Sequence, residues 1–361
     1  MLDQILKHLE ALVSFDTRNP PRAIGSDGIF DYIRAQLPGF HVGVSDHGAG
    51  AVSLFAVRGN PKRLFNVHLD TVPDSPAWSA DPHVLRVAED RAIGLGACDI
   101  KGAAACLLAA AAQTDGDAAF LFSSDEEAND PRCIAAFLAR DHGFDEVIVA
   151  EPTQCEAVLA HRGIASVQMR FTGEAGHASG ANAISASALH QAIRWGADAL
   201  SFVDDESHQR FGGLTGLRFN IGRVEGGIKA NMIAPGADVR FGFRPLPSQD
   251  TDVLHDRFRA LAPANAEYTP VFRGPPLPAG DVAQAEDRRL AARDLADALG
   301  LPIGNAVDFW TEASLFSQAG LTALVFGPGD IAQAHSADEW VALEQLATAA
   351  SHYQRLMEAY A

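Results

Sequence analysis

Four short apolar runs along the chain end in residues that bind metals well. The runs lie at 64–70, 118–127, 146–152 and 322–329, and none alternates regularly between apolar and polar positions. Uninterrupted apolar runs of this length are typical of strands buried on both faces of a largely parallel sheet. The pattern therefore predicts a sheet that other elements cover on each side.

Alanine-rich or amphipathic segments lie between or beside these runs. They cover 101–113, 131–141, 285–299 and 343–360, and their apolar spacing predicts helices. Strands that alternate with helices favour an α/β fold with a mostly parallel sheet and helices on both faces. In open sheets of that class, ligands bind beyond the carboxyl ends of the strands, so the polar residues there mark the expected site.

The middle of the chain has a different pattern, with strand-like alternation and helical spacing in the order β-α-β-β-α-β. In chain order these segments lie around 164–173, 183–203, 217–221, 239–243, 250–261 and 267–272. This order is that of a ferredoxin-like α+β module. Because the parallel-sheet pattern resumes afterwards, we expect a catalytic domain over 1–162 and 273–361, interrupted by an inserted lid and dimerisation domain over 163–272.

Charge and cysteine usage exclude several classes of partner. The chain has 46 acidic and 28 basic residues, a formal charge of −18 with histidine neutral, so neither nucleic acid nor a membrane surface is an expected partner. The N-terminal segment lacks the basic start and apolar core of a signal peptide, and no run approaches the length of a membrane span. The four cysteines form no CxxC pair, and a reducing cytoplasm is the expected compartment.

The first candidate for metal chemistry is the segment NVHLDTVP. His68 and Asp70 are two positions apart on a predicted strand, so both side chains project from one face. An imidazole is a good ligand for zinc or cobalt, and a nearby carboxylate can fix its tautomer. Taken alone, the pair fits a structural hydrogen bond better than a metal site.

Two acidic segments add further candidates. Asp99 lies in the glycine-flanked turn GLGACDIKG before a predicted helix, where it suits either a helix N-cap or the bridging of two cations. Glu126 and Glu127 in SSDEEAND follow a predicted strand and point in different directions. One of them can bind a metal while the other faces a substrate, but a solvated acidic turn has the same sequence.

The last candidate ligands follow the remaining two strands. Glu151 ends the third strand in AEPT, and His335 in AHSADE comes shortly after the glycine-rich end of the fourth. Singly, each fits an ordinary surface or core residue. The whole set, two imidazoles and three carboxylates at one sheet edge, meets the requirement of a dinuclear metal site and leaves one acid as a base.

These motifs occur in a fixed order over essentially the whole chain: HLDTVP, GACDIKG, DEE, EPT, AGHAS, GGIKANMI, FGPG and AHSADE. Together they resemble the M20 metallopeptidase family, which includes deacetylases, desuccinylases, aminoacylases and carboxypeptidases. The resemblance implies two divalent metal ions, zinc or cobalt, although this ligand set also accepts manganese. It further implies hydrolysis of the acetyl amide of an N-acetylated amino acid, with citrulline favoured and ornithine as the alternative.

The resemblance also assigns the metal ligands. It implies that Asp99 bridges both metals. His68 and Glu151 would complete one site, and Glu127 and His335 would complete the other.

The same resemblance assigns the catalytic groups. Glu126 would be the general base, and Asp70 would orient the histidine ligand on its strand. His177 matches the family histidine that helps to bind the developing oxyanion, sometimes across the interface of a homodimer. Two cations and such a base would let water attack the acetyl carbonyl at neutral pH.

Substrate binding is expected from residues of the inserted domain. An amino acid product retains its α-carboxylate, for which Arg244 is the first choice of partner and Lys229 the second, while the resemblance assigns Asn231 to the substrate carbonyl or carboxylate. The chain departs from many relatives at 128–130, where they have a glycine, and at Glu312, where they have aspartate. These departures leave the loop beside the base and the local substrate contacts open.

Three rival functions remain at the level of sequence. An M20 aminoacylase or dipeptidase would use the same metals with another leaving group. A metal-binding protein without catalysis would need no spare acid beside a ligand, which Glu126 provides. A serine hydrolase is disfavoured because the sequence has no GxSxG motif.

Overall fold

The computed structural model describes residues 1–20 and 24–358. The chain divides into two compact units. The first comprises Met1–Leu159, Leu290–Asn305 and Thr311–Ala361, and the second comprises Ala160–Arg289 and Ala306–Trp310. The second unit therefore also contains residues 160–162, 273–289 and 306–310, which were predicted as part of the first domain. Hydrogen bonds within the second unit explain the short segment, since Val307 N–H donates to Ala160 O at 3.1 Å and Trp310 Nε1 donates to Pro275 O at 3.0 Å.

The described residues form ten α-helices. These are α1 (Leu2–Ser14), α2 (Ile29–Ala35), α3 (Lys101–Ala111), α4 (Arg132–Leu138), α5 (Ala183–Ala186), α6 (Ala188–Asp205), α7 (Thr251–Ala260), α8 (Ala285–Ala298), α9 (Ala313–Gln318) and α10 (Leu343–Glu358). None of these helices combines the length and the apolar character needed to cross a bilayer.

The described residues also form seventeen strands. The first seven are β1 (His41–Asp46), β2 (Val52–Arg58), β3 (Arg63–His68), β4 (Arg86–Ala88), β5 (Arg91–Ile93), β6 (Ala118–Ser123) and β7 (Glu146–Val149). The next eight are β8 (Ile164–Thr172), β9 (Gly176–His177), β10 (Arg210–Phe211), β11 (Leu214–Thr215), β12 (Arg218–Gly226), β13 (Met232–Ile233), β14 (Gly236–Arg244) and β15 (Glu267–Gly274). The last two are β16 (Thr322–Val325) and β17 (Trp340–Ala342).

A six-stranded sheet in the order β1-β2-β6-β3-β7-β16 organises the first unit. Strands β6, β3, β7 and β16 pair in parallel, and β1 and β2 extend the sheet in antiparallel fashion. Every residue of β3 and β6 is buried, so elements of the chain cover both faces of these strands. The four parallel strands are those predicted from the apolar runs.

Helix α3 lies at the centre of a helical group in the first unit. It packs against α1 and α10 and reaches strand β3. All eleven of its residues are buried, which its small alanine side chains allow because they let neighbouring elements approach closely. A second helical group, α4 with α9, packs against β7 and β16 through α9. The prediction of a mostly parallel α/β domain is confirmed.

The second unit is built on an antiparallel sheet in the order β12-β14-β8-β15. Helix α6 packs on β8, β12 and β14. The connectivity β8-α6-β12-β14-α7-β15 is the predicted ferredoxin-like order. Buried and exposed residues alternate along β8 and β14, because one face of this sheet packs into the core of the unit and the other does not.

The predicted helix over 183–203 is interrupted in the structure. Residues 183–186 form the short α5, and Ser187 then acts as the N-cap of α6, where its Oγ accepts a hydrogen bond from the His190 N–H. A serine before a helix favours a new start because its hydroxyl satisfies a free backbone donor. The end of the predicted helix over 343–360 lies partly outside the described residues.

Candidate metal centre and active site

The ends of three parallel strands bring the predicted site residues of the first unit to one edge of the sheet. His68 is the last residue of β3, Glu151 follows β7 by two residues, and Glu126 and Glu127 follow β6 closely. The strands lie in register, with His68 opposite Ser123 of β6. Polar side chains that continue from neighbouring parallel strands therefore meet beyond the same edge.

The first group of facing ligand atoms comes from His68, Asp99 and Glu151. His68 Nε2 lies 3.1 Å from Asp99 Oδ1 and 3.9 Å from Glu151 Oε1. Ligand atoms of the three residues lie within 4.8 Å of one another, and all three residues are buried. Glu151 Oε1 accepts no hydrogen bond from the described residues. A buried carboxylate oxygen without a donor is costly, and a cation would relieve that cost.

The second group consists of Asp99, Glu127 and His335. His335 Nε2 lies 3.3 Å from Asp99 Oδ2 and 3.0 Å from Glu127 Oε1. Asp99 thus directs one carboxylate oxygen to each group, which is the geometry a bridging ligand needs. Two such groups sharing one carboxylate fit a pair of divalent ions bound by nitrogen and oxygen.

Asp70 contacts one residue of each group, His68 of the first and Glu127 of the second. His68 Nδ1 donates to the backbone carbonyl of Asp70 at 3.1 Å, with the Asp70 Oδ1 atom at 3.4 Å. The proton on Nδ1 leaves Nε2 free as a ligand atom. Asp70 Oδ2 accepts a hydrogen bond from the Glu127 N–H at 3.0 Å. Asp70 therefore contacts one candidate ligand of each group, and its role in orienting His68 stays a prediction.

The crowding of acids at this edge changes their proton affinities. Burial raises the pKa of Glu126 and of Glu151 well above the usual range; the charge of His68 opposes the rise, and neighbouring carboxylates add to it. Burial also raises the pKa of Asp99, but hydrogen bonds from His335 and His68 outweigh it and hold this pKa low. Cations at this edge would favour the ionised form of these carboxyl groups, as the two histidines do for Asp99.

The histidine of the second group holds a proton between two carboxylates. Hydrogen bonds to Asp99 and Glu127 raise the pKa of His335 to about 11. An imidazole must be neutral to bind a metal, so a cation at this position would replace that proton. The donor set and its charge both fit a metal ion here.

Two further acids support the site without a role assigned from sequence. Glu339 is 2% exposed, and its carboxylate accepts hydrogen bonds from the N–H groups of Gly96, Cys98 and Asp99 at 3.0, 2.8 and 2.9 Å. Glu312 is 1% exposed and accepts from Ser123 Oγ at 2.9 Å. Burial, aided by the charge of Asp125, raises the pKa of Glu312 to about 8. The position of Glu339 in AHSADE, just after a candidate ligand, was the only sequence signal for it.

The remaining predicted residues belong to the second unit. His177 lies in β9, opposite Met232 of β13, and is exposed. Its Nδ1 accepts a hydrogen bond from the Ser179 N–H at 3.2 Å, so the neutral ring carries its proton on Nε2. Asn231 is exposed, and its backbone carbonyl accepts from the Ala178 N–H at 3.0 Å.

Lys229 and Arg244 occupy different parts of the second unit. Lys229 is exposed in the segment before β13, and Arg244 is the half-buried last residue of β14. Burial lowers the pKa of Arg244, opposed by the charge of Asp308 and aided by that of Arg162. These residues remain predicted substrate contacts.

The fold and the site define a class of protein: an α/β protein with an inserted ferredoxin-like unit and two acid-and-histidine groups that share one aspartate. The chain belongs to the peptidase family M20/M25/M40, whose model matches residues 64–359. This membership confirms the family resemblance found in the sequence.

Three known proteins illustrate the similarity. The N-acetyl-L-citrulline deacetylase of Xanthomonas campestris pv. campestris is 74% identical over 348 residues, which are 96% of this chain and 95% of the relative. The acetylornithine deacetylase of Edwardsiella ictaluri is 30% identical over 77% of this chain and 74% of its own length. The solved structure of the Bacillus subtilis YXEP protein, a dinuclear metal binding peptidase from the M20 family, has a TM-score of 0.67 and 14% identity over 99% of this chain and 97% of that one. At that identity the last likeness concerns the fold alone.

Proposed function

We propose that the chain is a dinuclear metal amidohydrolase that removes the acetyl group from N-acetyl-L-citrulline, a step of arginine biosynthesis. The observation that carries the proposal is that the two carboxylate oxygens of Asp99 face two separate ligand groups. Glu126 is the sequence neighbour of Glu127, a member of one of these groups. The 74% identity to an N-acetyl-L-citrulline deacetylase supports the choice of substrate.

We assign the metal ligands as the two facing groups. His68 and Glu151 would hold one divalent ion, Glu127 and His335 the other, and Asp99 both. Zinc and cobalt suit this set of nitrogen and oxygen donors. Bound there, the two ions supply positive charge that lowers the pKa of water toward about 7 and polarises the amide carbonyl.

Glu126 is the proton carrier of the proposed reaction. It is half-buried and takes no part in either ligand group, so its carboxylate is free to accept a proton from the attacking water. The protonated acid then delivers that proton to the amide nitrogen, which leaves poorly without it. Acetate and the free amino acid are the products. Asp70 acts through His68 by holding its Nδ1 proton.

Residues of the second unit complete the proposed assignment. His177 presents an Nε2–H donor, because its Nδ1 is already occupied as an acceptor, and a donor of this kind suits an oxyanion. We assign Asn231 to the carbonyl or carboxylate of the substrate and Arg244 to its α-carboxylate. Lys229 is the second choice for the carboxylate.

We also propose that the chain forms a homodimer through the inserted unit. Helix α6 exposes large apolar side chains on one face, with Ile193 63% and Leu200 53% exposed seven residues apart. Apolar side chains exposed two turns apart on one face of a helix suit a contact with a second copy of the chain. We further propose the cytoplasm as its compartment, which the biosynthetic role proposed above supports.

One assay tests the function. Purified protein is incubated with N-acetyl-L-citrulline or N-acetyl-L-ornithine, and released acetate is measured before and after chelation and after zinc, cobalt or manganese is returned. We expect metal-dependent release, faster from the citrulline compound and insensitive to serine reagents. Faster release from the ornithine compound would favour the alternative, an acetylornithine deacetylase. Failure with both, or activity that survives complete metal removal, would contradict the proposal.

A further inference from the structure

Two arginines face each other on the exposed face of the sheet in the second unit. Arg218 of β12 and Arg244 of β14 are direct partners in the antiparallel register. Residues paired in this way have Cβ atoms about 5 Å apart on the same face of a sheet. Like charges in that arrangement repel each other, so the pair is unfavourable unless an anion lies between or beside them.

The nearest acid does not balance both arginines. Arg162 is fully buried and donates to the Asp308 carboxylate and to the carbonyls of Thr215 and Gly216. Arg162 is therefore the main partner of the Asp308 carboxylate. Arg218 Nη2 lies 3.6 Å from Asp308 Oδ2, with over half of both side chains exposed. An ion pair of that length and exposure contributes little.

The guanidinium of Arg244 makes no hydrogen bond and no ion pair with any of residues 1–20 and 24–358. Three arginines and one aspartate leave a local excess of two positive charges in a chain whose formal charge is −18. Holding an unpaired, half-buried guanidinium is costly, and an anionic ligand would offset this cost.

A cleft lies beside Arg218 and Arg244. It has a volume of about 250 Å³ and is lined by both arginines together with polar groups of Ser166 and Asn220. Gly242 lies opposite Asn220 in the register and contributes no side chain, which leaves the floor of the cleft open. Two guanidinium forks beside amide and hydroxyl groups suit a carboxylate.

We propose that Arg218 and Arg244 together form the carboxylate site for the substrate, and that Arg218 selects against N-acetylated amino acids with a cationic side chain. This inference rests on the proposed function and names the residue that distinguishes its two candidate substrates. Arg244 binds the α-carboxylate. Arg218 adds a second positive charge, which attracts the carboxylate and repels an ammonium group a few methylenes away from it.

The two candidate substrates differ in the charge of the side chain, which Arg218 would repel or tolerate. N-acetylcitrulline has one negative charge and a neutral ureido group, whereas N-acetylornithine adds an ammonium group at the end of its side chain. At a separation of about 6 Å, repulsion between two unit charges at a protein surface changes an equilibrium constant about 3- to 100-fold. We therefore expect Arg218 to contribute a factor in this range to the preference for the citrulline compound over the ornithine compound.

Variants at Arg218 test the selection. Arg218→Gln and Arg218→Glu are compared with the unmutated enzyme by kcat/KM for N-acetyl-L-citrulline, N-acetyl-L-ornithine and N-acetyl-L-norvaline, whose side chain is uncharged. We expect the citrulline-to-ornithine ratio to fall about 3- to 100-fold in Arg218→Gln and further in Arg218→Glu, while the citrulline-to-norvaline ratio stays within about twofold. Arg240→Gln, an exposed arginine on the same face of β14, is the control and should leave both ratios unchanged.

A binding measurement separates failure of this inference from failure of the proposed function. Calorimetric titration of the metal-free protein with the same three compounds gives the ratio of dissociation constants without any turnover. If the unmutated enzyme releases no acetate, the proposed function fails, and the binding ratios still decide the role of Arg218. Ratios that stay within about twofold in both Arg218 variants, in kinetics and in binding, would overturn the inference.

Thermal unfolding excludes a purely structural role. Neutralising one arginine of a repelling pair should leave the melting temperature of Arg218→Gln equal to or above that of the unmutated protein. If the Arg218–Asp308 pair served mainly to stabilise the fold, the melting temperature would fall and the substrate ratios would not change.

Discussion

Glu339 accepts a hydrogen bond from the backbone N–H of Asp99 at 2.9 Å, across 240 residues of sequence. The same carboxylate also accepts from the N–H groups of Gly96 and Cys98. The loop that carries the proposed bridging ligand is therefore tied to the segment that carries His335. These hydrogen bonds hold the backbone of the proposed bridging residue in position.

We predict that Glu339→Gln weakens metal binding. A glutamine offers one acceptor oxygen instead of two, and its NH₂ group would meet a backbone N–H. Loss of a supporting contact of this kind typically lowers metal affinity about 10- to 100-fold. Competition with a fluorescent chelator measures the change, and the exposed Glu344→Gln is the control. Equal affinity in both variants would show that the Glu339 contacts do not support the site.

Asp99→Ala should lose both metal ions, because one carboxylate faces both ligand groups. Substitution of Glu151 by alanine should remove ligands from only one group and serves as the comparison. Elemental analysis of the purified variants gives the number of ions per chain. Retention of two ions by Asp99→Ala would rule out the bridging assignment.

Glu126 and Glu127 should fail in different ways although they are neighbours in sequence. Glu127→Gln should lower the metal content together with activity, because an amide is a much poorer ligand than a carboxylate. Glu126→Gln should keep both ions and roughly normal substrate binding, while turnover falls by about 100- to 10,000-fold, as is usual for loss of a general acid–base group. Metal analysis beside kinetics decides between them. An active Glu126→Gln, or one depleted of metal, would remove the base from the mechanism.

Glu312 makes the stability of the metal-free protein depend on pH. Its pKa is about 8 in the folded chain against 4.5 ordinarily, so the folded state holds a proton that the unfolded chain releases. The associated stability is present below about pH 4.5 and is lost as the pH rises toward 8. Glu312→Gln cannot ionise and keeps an oxygen for Ser123. Its melting temperature, measured in chelator, should exceed that of the unmutated protein by more at pH 8 than at pH 5.

The exposed Glu10→Gln is the control for the pH experiment and should show no such trend. A difference between Glu312→Gln and the unmutated protein that is constant from pH 5 to pH 8 would show that the buried carboxyl does not titrate in this range.

The parallel strands and the candidate ligands that follow them could be predicted, because strands buried on both faces have uninterrupted apolar sequences. Strand β1 was not predicted, since it lies at the edge of the sheet, exposes one side and has a mixed composition. Strand β2 lies inside the sheet and is mostly apolar and buried, but its run does not end in candidate metal ligands as the four predicted runs do. The break at Ser187 was missed because apolar spacing continues across it. The apolar spacing over 183–203 predicted a helix, but it did not show that Ser187 ends one helix and starts another.

Contacts between distant segments could not be predicted. Glu339 is one of several acids near the end of the chain, and only folding brings it to the N–H groups of residues 96–99. The inclusion of residues 306–310 in the second unit likewise depends on pairing with Ala160 and Pro275. The charge pair Arg218–Arg244 requires the strand register, which a single sequence does not fix.

The complete burial of α3 has a consequence for synthesis of the protein. Its cover includes α10: Cys106 Sγ donates to the Leu346 carbonyl at 3.2 Å, and a side chain added at Gly102 would approach Leu346. Until residues 343–358 have emerged from the ribosome, this apolar helix, which begins two residues after Asp99, lacks part of its cover. Domains normally fold as units during translation. The metal centre should therefore form only after residues 343–358 have emerged from the ribosome, and until then α3 is a segment for chaperones to protect.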